Sequence, residues 1–316
     1  MSFKDEMLTA YRQMVDLKVS LGFSENTYSF YIEPFIKYCA EAFPDATCIS
    51  KEMVDAWLLV RLFNTRATRG HAISNIRAFT RYLNAIGRKA YIPSEEYSLK
   101  VEHFQPYIFT DEELSCLFEA IDSIPSSFEA PQKEFIVPAL FRMMYSCGMR
   151  PAEPLHLYTE DVDLSKGDIY IRQSKMSKDR HIIMSDDLKD LCVKYDYLMG
   201  PRKWFFQKWD GGSFPTYWMT NQFRICWRNS GLEKRGNPRP YDLRHCFATR
   251  TLMRWVDEGR DIMALLPYLS EYLGHKSLKH TLYYVHLLPQ RLRSTVGIDW
   301  RKLDTVYARE DSYEEN

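Results

Sequence analysis

The sequence lacks any long uninterrupted apolar run, which argues against a membrane-spanning helix. Its best candidate, residues 135–144, is broken by Pro138 and Arg142, whereas a bilayer requires about 20 consecutive apolar residues. The first six residues include the charged Lys4, Asp5 and Glu6 and contain no apolar centre of a secretory signal. We therefore expect a soluble cytoplasmic protein without a membrane partner.

Paired cysteine motifs are also missing. The chain has seven cysteines at wide spacing and no Cys-x-x-Cys, which argues against a disulfide framework or a zinc knuckle and favours a reducing compartment. A zinc site made of His275, His280 and His286 has no cysteine or acid at convincing ligand spacing. We therefore predict no metal site.

Net charge is the third absence. The 42 Lys and Arg balance 42 Asp and Glu, although nucleic-acid-binding chains are often basic. An acidic stretch at residues 310–315 offsets basic clusters elsewhere, so the zero net charge hides an uneven distribution. With 45% hydrophobic residues in 316, the chain can bury the cores of two domains.

Helical periodicity without strand alternation fills residues 1–103, where we predict a small all-helical domain. Helices are expected to begin near four positions: residue 3, Ser24, Ser50 and Thr68. Residues 88–106 lack periodicity and are interpreted as an inter-domain linker.

Basic side chains are concentrated around the start of the fourth helix. Phosphate binds well at a helix N-terminus, but a solvated helix face is the more common fate of such charges. The pattern alone favours the solvated face. The arginines concerned are Arg66, Arg69, Arg77 and Arg81.

Residues 107–316 combine helices with a change of period, which predicts an α+β domain. Two β-rich runs, 169–173 and 181–184, flank a hairpin loop at 174–179, and an earlier turn precedes them. We predict a three-stranded antiparallel sheet in a mainly α-helical chain. The hairpin loop carries two lysines, Lys175 and Lys178.

Arg150 stands at the entrance of a predicted helix. Pro151 fits the first helical position, where its missing N–H costs nothing. Free backbone N–H groups at such an entrance favour an anion. Glu153 follows within the first turn, so an ordinary Arg–Glu pair at a capped helix is the alternative.

A later helix carries further arginines. Thr220 is its predicted N-cap, and Arg224 and Arg228 lie one turn apart on one face. Arg239 follows in a loop. These three arginines are candidates for phosphate contact, whereas the tryptophans nearby are expected in the core.

Three polar residues interrupt an apolar helical pattern between Tyr241 and His286. They are Arg244, His275 and Tyr284. A buried arginine is costly unless it is paired or hydrogen-bonded. Arg244 therefore either pairs with a carboxylate such as Asp242 or waits for a phosphate, and the residues alone favour the carboxylate.

The ordered set of these residues resembles the catalytic core of the tyrosine recombinases, the phage-integrase family. That family reads His-x-x-Arg-His, then Leu-Gly-His, then Tyr-x-His. The chain matches it at Arg244 and His245, at residues 273–275, and at Tyr284 and His286, but has Tyr241 where the family most often has His.

Two further segments carry the resemblance. Arg150 and Glu153 are similar to the family's Gly-Leu-Arg-x-x-Glu, and residues 22–27 resemble its core-binding domain. The resemblance implies an N-terminal helical core-binding domain, residues 1–103, and a catalytic domain, residues 107–316. It also turns the interpretation of the basic helix in the first domain towards DNA contact.

The resemblance implies a reaction in which Tyr284 attacks DNA phosphorus and forms a 3′-phosphotyrosyl bond, without ATP, metal or another cofactor. Arg150 and Arg244 would hold the phosphate, and Lys175, with Lys178 in reserve, would protonate the leaving 5′-hydroxyl. The resemblance also makes His275 and Tyr241 catalytic: His275 would donate to the phosphate or position Tyr284, and Tyr241 would donate a hydrogen bond to the phosphate. Glu153 and His245 would be supporting residues, which orient Arg150 and exchange a proton.

Family members act on double-stranded DNA with short inverted-repeat core sites, as homotetramers that exchange C-terminal segments. Residues 297–307 are a candidate for that segment, or for a helix packed on its own domain. The implied function is site-specific recombination or integration for a phage or mobile element. One alternative is a type IB topoisomerase-like nicking-closing enzyme, which would relax supercoils without pairing two sites. The other is a non-catalytic DNA-binding relative, and the intact set of site residues argues against that relative.

Overall fold

The computed structural model describes residues 2–23, 26–61, 63, 65–97, 105–128, 130–174 and 178–287. Only the backbone is described at positions 26, 27, 67, 173, 174, 178 and 286. The chain folds as two compact units, which divide between Phe104 and Gln105. The fold is mainly helical, with one small sheet in the described residues, as the sequence predicts.

The first unit consists of helices packed around one apolar core, which includes Met14, Ile32 and Phe79. Ser50 accepts a hydrogen bond from the Met53 amide and so caps the third helix. Ser24 lies outside the described residues. The helices are α1 (Phe3–Ser20), α2 (Asn26–Ala42), α3 (Lys51–Val60) and α4 (Arg66–Ala85).

The segment after α4 corrects the predicted linker. Arg77 donates from Nε to the Pro93 carbonyl at 2.8 Å, and the Tyr97 hydroxyl donates to Asp55 at 2.5 Å. Ala90 forms a parallel bridge with Ile49. Residues 88–97 therefore belong to the first unit, because these hydrogen bonds and the packing of Ala90, Tyr91 and Tyr97 on its core hold them there without helical periodicity.

The second unit contains helices around a three-stranded antiparallel sheet of order β1-β2-β3. The strands are β1 (Val162–Asp163), β2 (Asp168–Ser174) and β3 (Lys178–Ile183). The helices are α5 (Asp111–Asp122), α6 (Lys133–Cys147), α7 (Ala152–Leu155), α8 (Asp186–Met199), α9 (Thr216–Asn229), α10 (Pro240–Asp257), α11 (Ile262–Leu273) and α12 (Lys279–His286).

Helix α9 begins one turn earlier than the sequence predicts. Pro215 precedes it in an extended conformation, and Thr220 lies inside the helix, where its hydroxyl donates to the Thr216 carbonyl. Thr220 is therefore not the N-cap, because a proline immediately upstream already fixes the helix entrance.

The second unit has two apolar cores, and helix α10 contributes side chains to both. It packs against α6 on one side and against α11 and α12 on the other. Gly148 ends α6 at φ +59°, and a Cβ there would stand 2.5 Å from the Phe247 ring, so glycine alone fits this turn. Among the described residues, no helix combines the length and apolarity needed to cross a bilayer.

Candidate active site

The C-terminal end of α11 binds three arginines through three consecutive backbone carbonyls. Arg180 donates from Nε to Tyr272 at 2.9 Å, Arg244 donates from Nη2 to Leu273 at 2.6 Å, and Arg150 donates to Gly274. The last carbonyls of a helix have no intrahelical partner and carry partial negative charge. This helix end therefore gathers cations from β3, α10 and the entrance of α7.

Gly274 makes this gathering possible. Its φ is +65°, and a Cβ would lie 3.2 Å from Arg180 Nη1 and 3.3 Å from Arg150 Nη1. A side chain would strain the left-handed backbone and displace two guanidinium groups. The glycine of the Leu-Gly-His sequence is thus required by both conformation and contact.

Arg244 is fully buried, with 0% of its surface exposed. Its partners are backbone carbonyls and the Tyr284 hydroxyl rather than Asp242: Nη1 donates to Gly148 at 2.7 Å, and the guanidinium also hydrogen-bonds Tyr284. Its Nε has no hydrogen-bond partner. Burial, reinforced by the charge of Arg150, lowers the pKa of Arg244, yet an arginine remains charged at neutral pH. A buried cation with an unmet donor favours an anionic ligand.

The carboxylate partner suggested by the sequence for Arg244 has another role. Asp242 accepts a hydrogen bond from the Arg239 backbone amide at 2.6 Å and thereby caps the entrance of α10. Burial raises the pKa of Asp242. The carboxylate pairing for Arg244 is therefore wrong.

Glu153 is saturated by two arginines. It accepts from the Arg150 backbone at 2.7 Å and from Arg150 Nη1 at 2.9 Å. Arg180 adds two more bonds, at 2.8 and 2.7 Å. Burial alone would raise the pKa of Glu153. The hydrogen bonds and charge of Arg180, together with the charge of Arg244 and the Arg150 backbone hydrogen bond, outweigh burial, and the net pKa shift is downward. Glu153 is therefore ionised at neutral pH.

Sequence reasoning missed Arg180. It pairs in register with the buried Ile171 across the hairpin, so it faces the interior on a strand of otherwise mixed polarity. Strand alternation could have placed it inward, but no spacing along the chain connects it with Glu153.

Tyr284 lies on α12 between two histidines. Its hydroxyl is 3.1 Å from His245 Nδ1, and its ring lies nearly parallel to that of His275, with centroids 6.1 Å apart. The residue is 2% exposed. Burial raises the pKa of Tyr284 to about 12, against the opposing charge of Arg244. The phenol is therefore neutral at pH 7 and needs a proton acceptor to become a nucleophile.

Both histidines are neutral at neutral pH. Burial, with Arg244 next, lowers the pKa of His275 to about 3 and that of His245 to about 4. His275 Nδ1 lies 2.8 Å from the hydroxyl of Thr281, which is fully buried one turn before Tyr284 on α12. Neutral imidazoles can donate and accept one proton each, which suits positioning and proton exchange.

Two tyrosines adjoin this group. Tyr241 lies one turn before Arg244 on α10, and its ring centroid is 4.8 Å from that of His245. Tyr283 is half-buried beside Tyr284, with ring centroids 5.9 Å apart. The structure thus brings together six residues that the sequence singles out: Arg150, Glu153, Arg244, His245, His275 and Tyr284.

The remaining site predictions divide into three groups. Lys175 lies outside the described residues, as do the side chains of Lys178 and His286. The predicted DNA contact of Arg77 is corrected by the structure, because Arg77 is 4% exposed and donates to two backbone carbonyls of its own unit. The exposed or half-buried arginines are Arg66, Arg69, Arg81, Arg224, Arg228 and Arg239.

Comparison with known proteins adds an independent observation. The model of the Phage integrase family matches residues 108–291, more than half of the chain. A putative integrase/recombinase of Sinorhizobium fredii, y4rE, is 28% identical over 285 residues, covering 86% of this chain and 88% of the relative. Tyrosine recombinase XerC of Oceanobacillus iheyensis is 28% identical over 239 residues, covering 72% and 73%.

A solved structure resembles the fold. A lambda integrase tetramer bound to a Holliday junction has a TM-score of 0.64 against this chain at 19% identity. The likeness covers 87% of this chain and 76% of that one. At this identity, the comparison describes the fold only.

Proposed function

This chain belongs to the phage integrase family of tyrosine-type site-specific recombinases, and we propose that Tyr284 is the residue through which it cleaves and rejoins DNA. The observation that carries the proposal is the convergence of Arg150, Arg244, His275 and Tyr284 on the end of α11 and the adjoining α12. They come from distant parts of the sequence and form one cationic site, in which Arg244 and Tyr284 are buried and Arg150 and His275 are half-buried.

In the proposed step, the Tyr284 oxygen attacks DNA phosphorus in line with the leaving 5′-oxygen. The new bond is a 3′-phosphotyrosyl ester, and the phosphorus–5′-oxygen bond breaks. His245, at 3.1 Å and neutral, accepts the phenolic proton when Nδ1 carries none. Lys175 gives a proton to the 5′-oxygen. The ester conserves the energy of the original linkage, so rejoining needs no cofactor.

The phosphate is stabilised by charge that is already in place. Arg150 and Arg244 are held by the carbonyls of residues 274 and 273, so little reorganisation is required when the phosphate enters. Preorganised donors in a site shielded from water stabilise developing charge strongly. His275 donates to the phosphate, and Tyr241 serves as a further donor beside His245.

The proposed partner is double-stranded DNA with short inverted-repeat core sites. Contacts with the phosphate backbone of the DNA come from both units. The first unit provides Arg66, Arg69 and Arg81, and the second provides Arg224, Arg228 and Arg239. Support for a tetramer comes from lambda integrase, solved as a tetramer on a Holliday junction. Exchange of C-terminal segments between protomers, and service to a phage or mobile element, complete the proposal.

A covalent-trapping experiment tests the proposed function. Nicked duplexes with randomised core sequences are incubated with the protein, and DNA that remains attached in SDS is recovered and sequenced. We expect recovered duplexes to share an inverted repeat, and Tyr284→Phe to abolish the adduct. Tyr283→Phe is the matched control and keeps it. An adduct lost in Tyr283→Phe but kept in Tyr284→Phe would reassign the nucleophile.

A plasmid assay separates the proposal from the topoisomerase alternative. Plasmids carrying two copies of the recovered site should yield the reciprocal products of strand exchange between those two sites. Relaxation of supercoils without any exchange between the two sites would indicate a nicking-closing enzyme instead.

A further inference from the structure

We infer that Arg180 is a positioning residue for strand cleavage: it neutralises Glu153, so that the charges of Arg150 and Arg244 remain for the phosphate. The inference rests on the proposed function and extends it to a side chain outside the motif. Arg180 acts through Glu153 and the end of α11 and touches neither DNA nor Tyr284 in this role.

The contacts of Arg180 use the whole guanidinium group. Two parallel bonds of 2.8 and 2.7 Å join it to the two oxygens of Glu153, the bidentate geometry that arginine favours. Its Nε donates to Tyr272 at 2.9 Å. The side chain is 6% exposed. Arg180 therefore fastens β3, the first turn of α7 and the end of α11 to each other.

The charges of the site explain why this matters for a phosphate. Arg150, Arg180 and Arg244 carry three positive charges and Glu153 carries one negative charge, which leaves two positive charges in net. Without Arg180, only one net charge remains. Both oxygens of Glu153 would then have Arg150 as their only arginine partner, since the remaining bonds come from its backbone and Nη1.

The geometry gives a second consequence. Arg150 donates from Nη1 to Glu153 and from Nη2 to the Gly274 carbonyl. Arg180 binds both oxygens of the same carboxylate and the carbonyl of Tyr272, two residues before Gly274. Its removal would let Glu153 rotate and draw Arg150 out of the position that faces the phosphate.

A purely structural ion pair is the competing explanation, because breaking a buried pair destabilises a fold whatever the site does. Arg180→Met leaves Glu153 under-compensated, whereas Glu153→Gln/Arg180→Met returns the net site charge to two. Because the double variant also removes the uncompensated carboxylate, it restores folding under either explanation. The cleavage rate per folded molecule separates the two, since a purely structural role leaves that rate in Arg180→Met equal to wild type.

A matched control lies on the neighbouring strand. Arg172 also binds two carboxylates, Glu160 and Asp161, each at 2.6 Å. It follows Ile171, whose side chain faces the same way as Arg180, so Arg172 lies on the opposite face of the sheet. Arg172→Met removes a paired but more exposed arginine, 44% exposed, from the same sheet without touching the site.

The experiment compares wild type with Arg180→Met, Arg180→Lys, the double variant and Arg172→Met on the nicked duplex recovered by trapping. We expect the single-turnover cleavage rate of Arg180→Met to fall about 100-fold, with duplex affinity within about threefold of wild type. The double variant should regain about tenfold over Arg180→Met. Arg180→Lys should be intermediate, and Arg172→Met should match wild type.

Each outcome bears on one claim. A wild-type rate in Arg180→Met, or a double variant no faster than the single one, would overturn the role of Arg180. Failure of the wild-type protein to form any adduct would instead count against the proposed function.

An assay without DNA keeps the two claims distinguishable. Inorganic phosphate is titrated while the midpoint of thermal unfolding is followed, at constant ionic strength. We expect phosphate to raise the midpoint of thermal unfolding less in Arg180→Met than in wild type. The double variant should recover the wild-type rise, and Arg172→Met should show it unchanged. Equal responses in wild type and Arg180→Met, including no response in either, contradict the inference.

Discussion

Two buried arginines, one in each unit, look alike in the sequence and differ in what surrounds them. Arg77 in α4 donates to the carbonyls of Pro93 and Ser94 and fixes the segment that follows its helix. Arg244 in α10 also donates to two carbonyls, but its Nε has no partner, and Tyr284, His245 and His275 lie near it. Burial of an arginine therefore does not identify a binding site; unmet donors beside titratable groups do.

The largest expected effect separates the cleavage rate, which depends on Arg244, from the free energy of unfolding, which depends on Arg77. Arg244→Met should lower the single-turnover cleavage rate by about 1,000-fold or more, because a phosphate clamp in a shielded site is lost. Arg77→Met should leave the rate of the folded protein unchanged and lower the free energy of unfolding by about 1–3 kcal/mol. The measurements are adduct formation on the recovered duplex and urea denaturation. A comparable loss of cleavage in both variants would remove the distinction.

The next effect tests the turn that gathers the arginines. Gly274→Ala places a Cβ in a left-handed backbone at 3.2 Å from Arg180 and 3.3 Å from Arg150. We expect cleavage to fall about 100-fold and the free energy of unfolding to fall by about 1–2 kcal/mol. Gly231→Ala, at φ +75° with open space around it, is the control for backbone strain. It should share the stability loss and keep the cleavage rate.

A smaller effect is expected from the hydroxyl that holds His275. Thr281→Val keeps the shape and removes the 2.8 Å contact with Nδ1, so the tautomer and tilt of the imidazole are no longer fixed. Cleavage should fall about tenfold, and Thr281→Ser should restore most of it. Nitrogen NMR of the histidine ring reports the tautomer directly. An unchanged tautomer in Thr281→Val would contradict this role for Thr281.

The exposed arginines of the two units provide a related, graded test. Arg81 and Arg228 are both solvent-exposed. Replacing either by Met should weaken binding to all DNA sequences by a similar factor and reduce the slope of log affinity against log salt by about one unit. Stability should not change. A salt slope equal to that of wild type would exclude that arginine as a phosphate contact.

The smallest effect is a pH dependence of stability. The pKa of His245 falls from 6.5 to about 4 on folding, mainly through burial. Between pH 6.5 and 4, His245 therefore binds a proton in the unfolded chain but not in the folded chain. Stability is therefore full above pH 6.5 and declines as the pH falls towards 4. His245→Gln should reduce that decline by about 2 kcal/mol. The measurement is the free energy of unfolding at several pH values, and an unchanged pH profile in the variant would refute the assignment.

Much of the architecture could be predicted from the sequence, because periodicity and caps are local signals. The helix start predicted at Ser50 and the hairpin runs around 169–184 appear in α3 and in the sheet. The family was also predicted correctly, since its motif is ordered along the chain. Arg150 and Arg244 could be linked to Tyr284 only through that motif, because no local rule brings residues so distant in sequence together.

The sequence could not show contacts that depend on backbone groups. Arg77 was mistaken for a surface residue because its partners are carbonyls of an irregular segment. Arg180 was overlooked because its partner, Glu153, lies on another element. Thr281 carries no charge to attract notice, yet it contacts His275. The role of Lys175 stays a prediction.

The central claim is tested most directly by locating the covalent bond. The SDS-resistant complex formed with the recovered duplex is digested with protease and nuclease, and the modified peptide is sequenced by mass spectrometry. We predict a nucleotide linked through its 3′-phosphate to the oxygen of Tyr284. A nucleotide on Tyr283, or on any residue outside α12, would contradict the account.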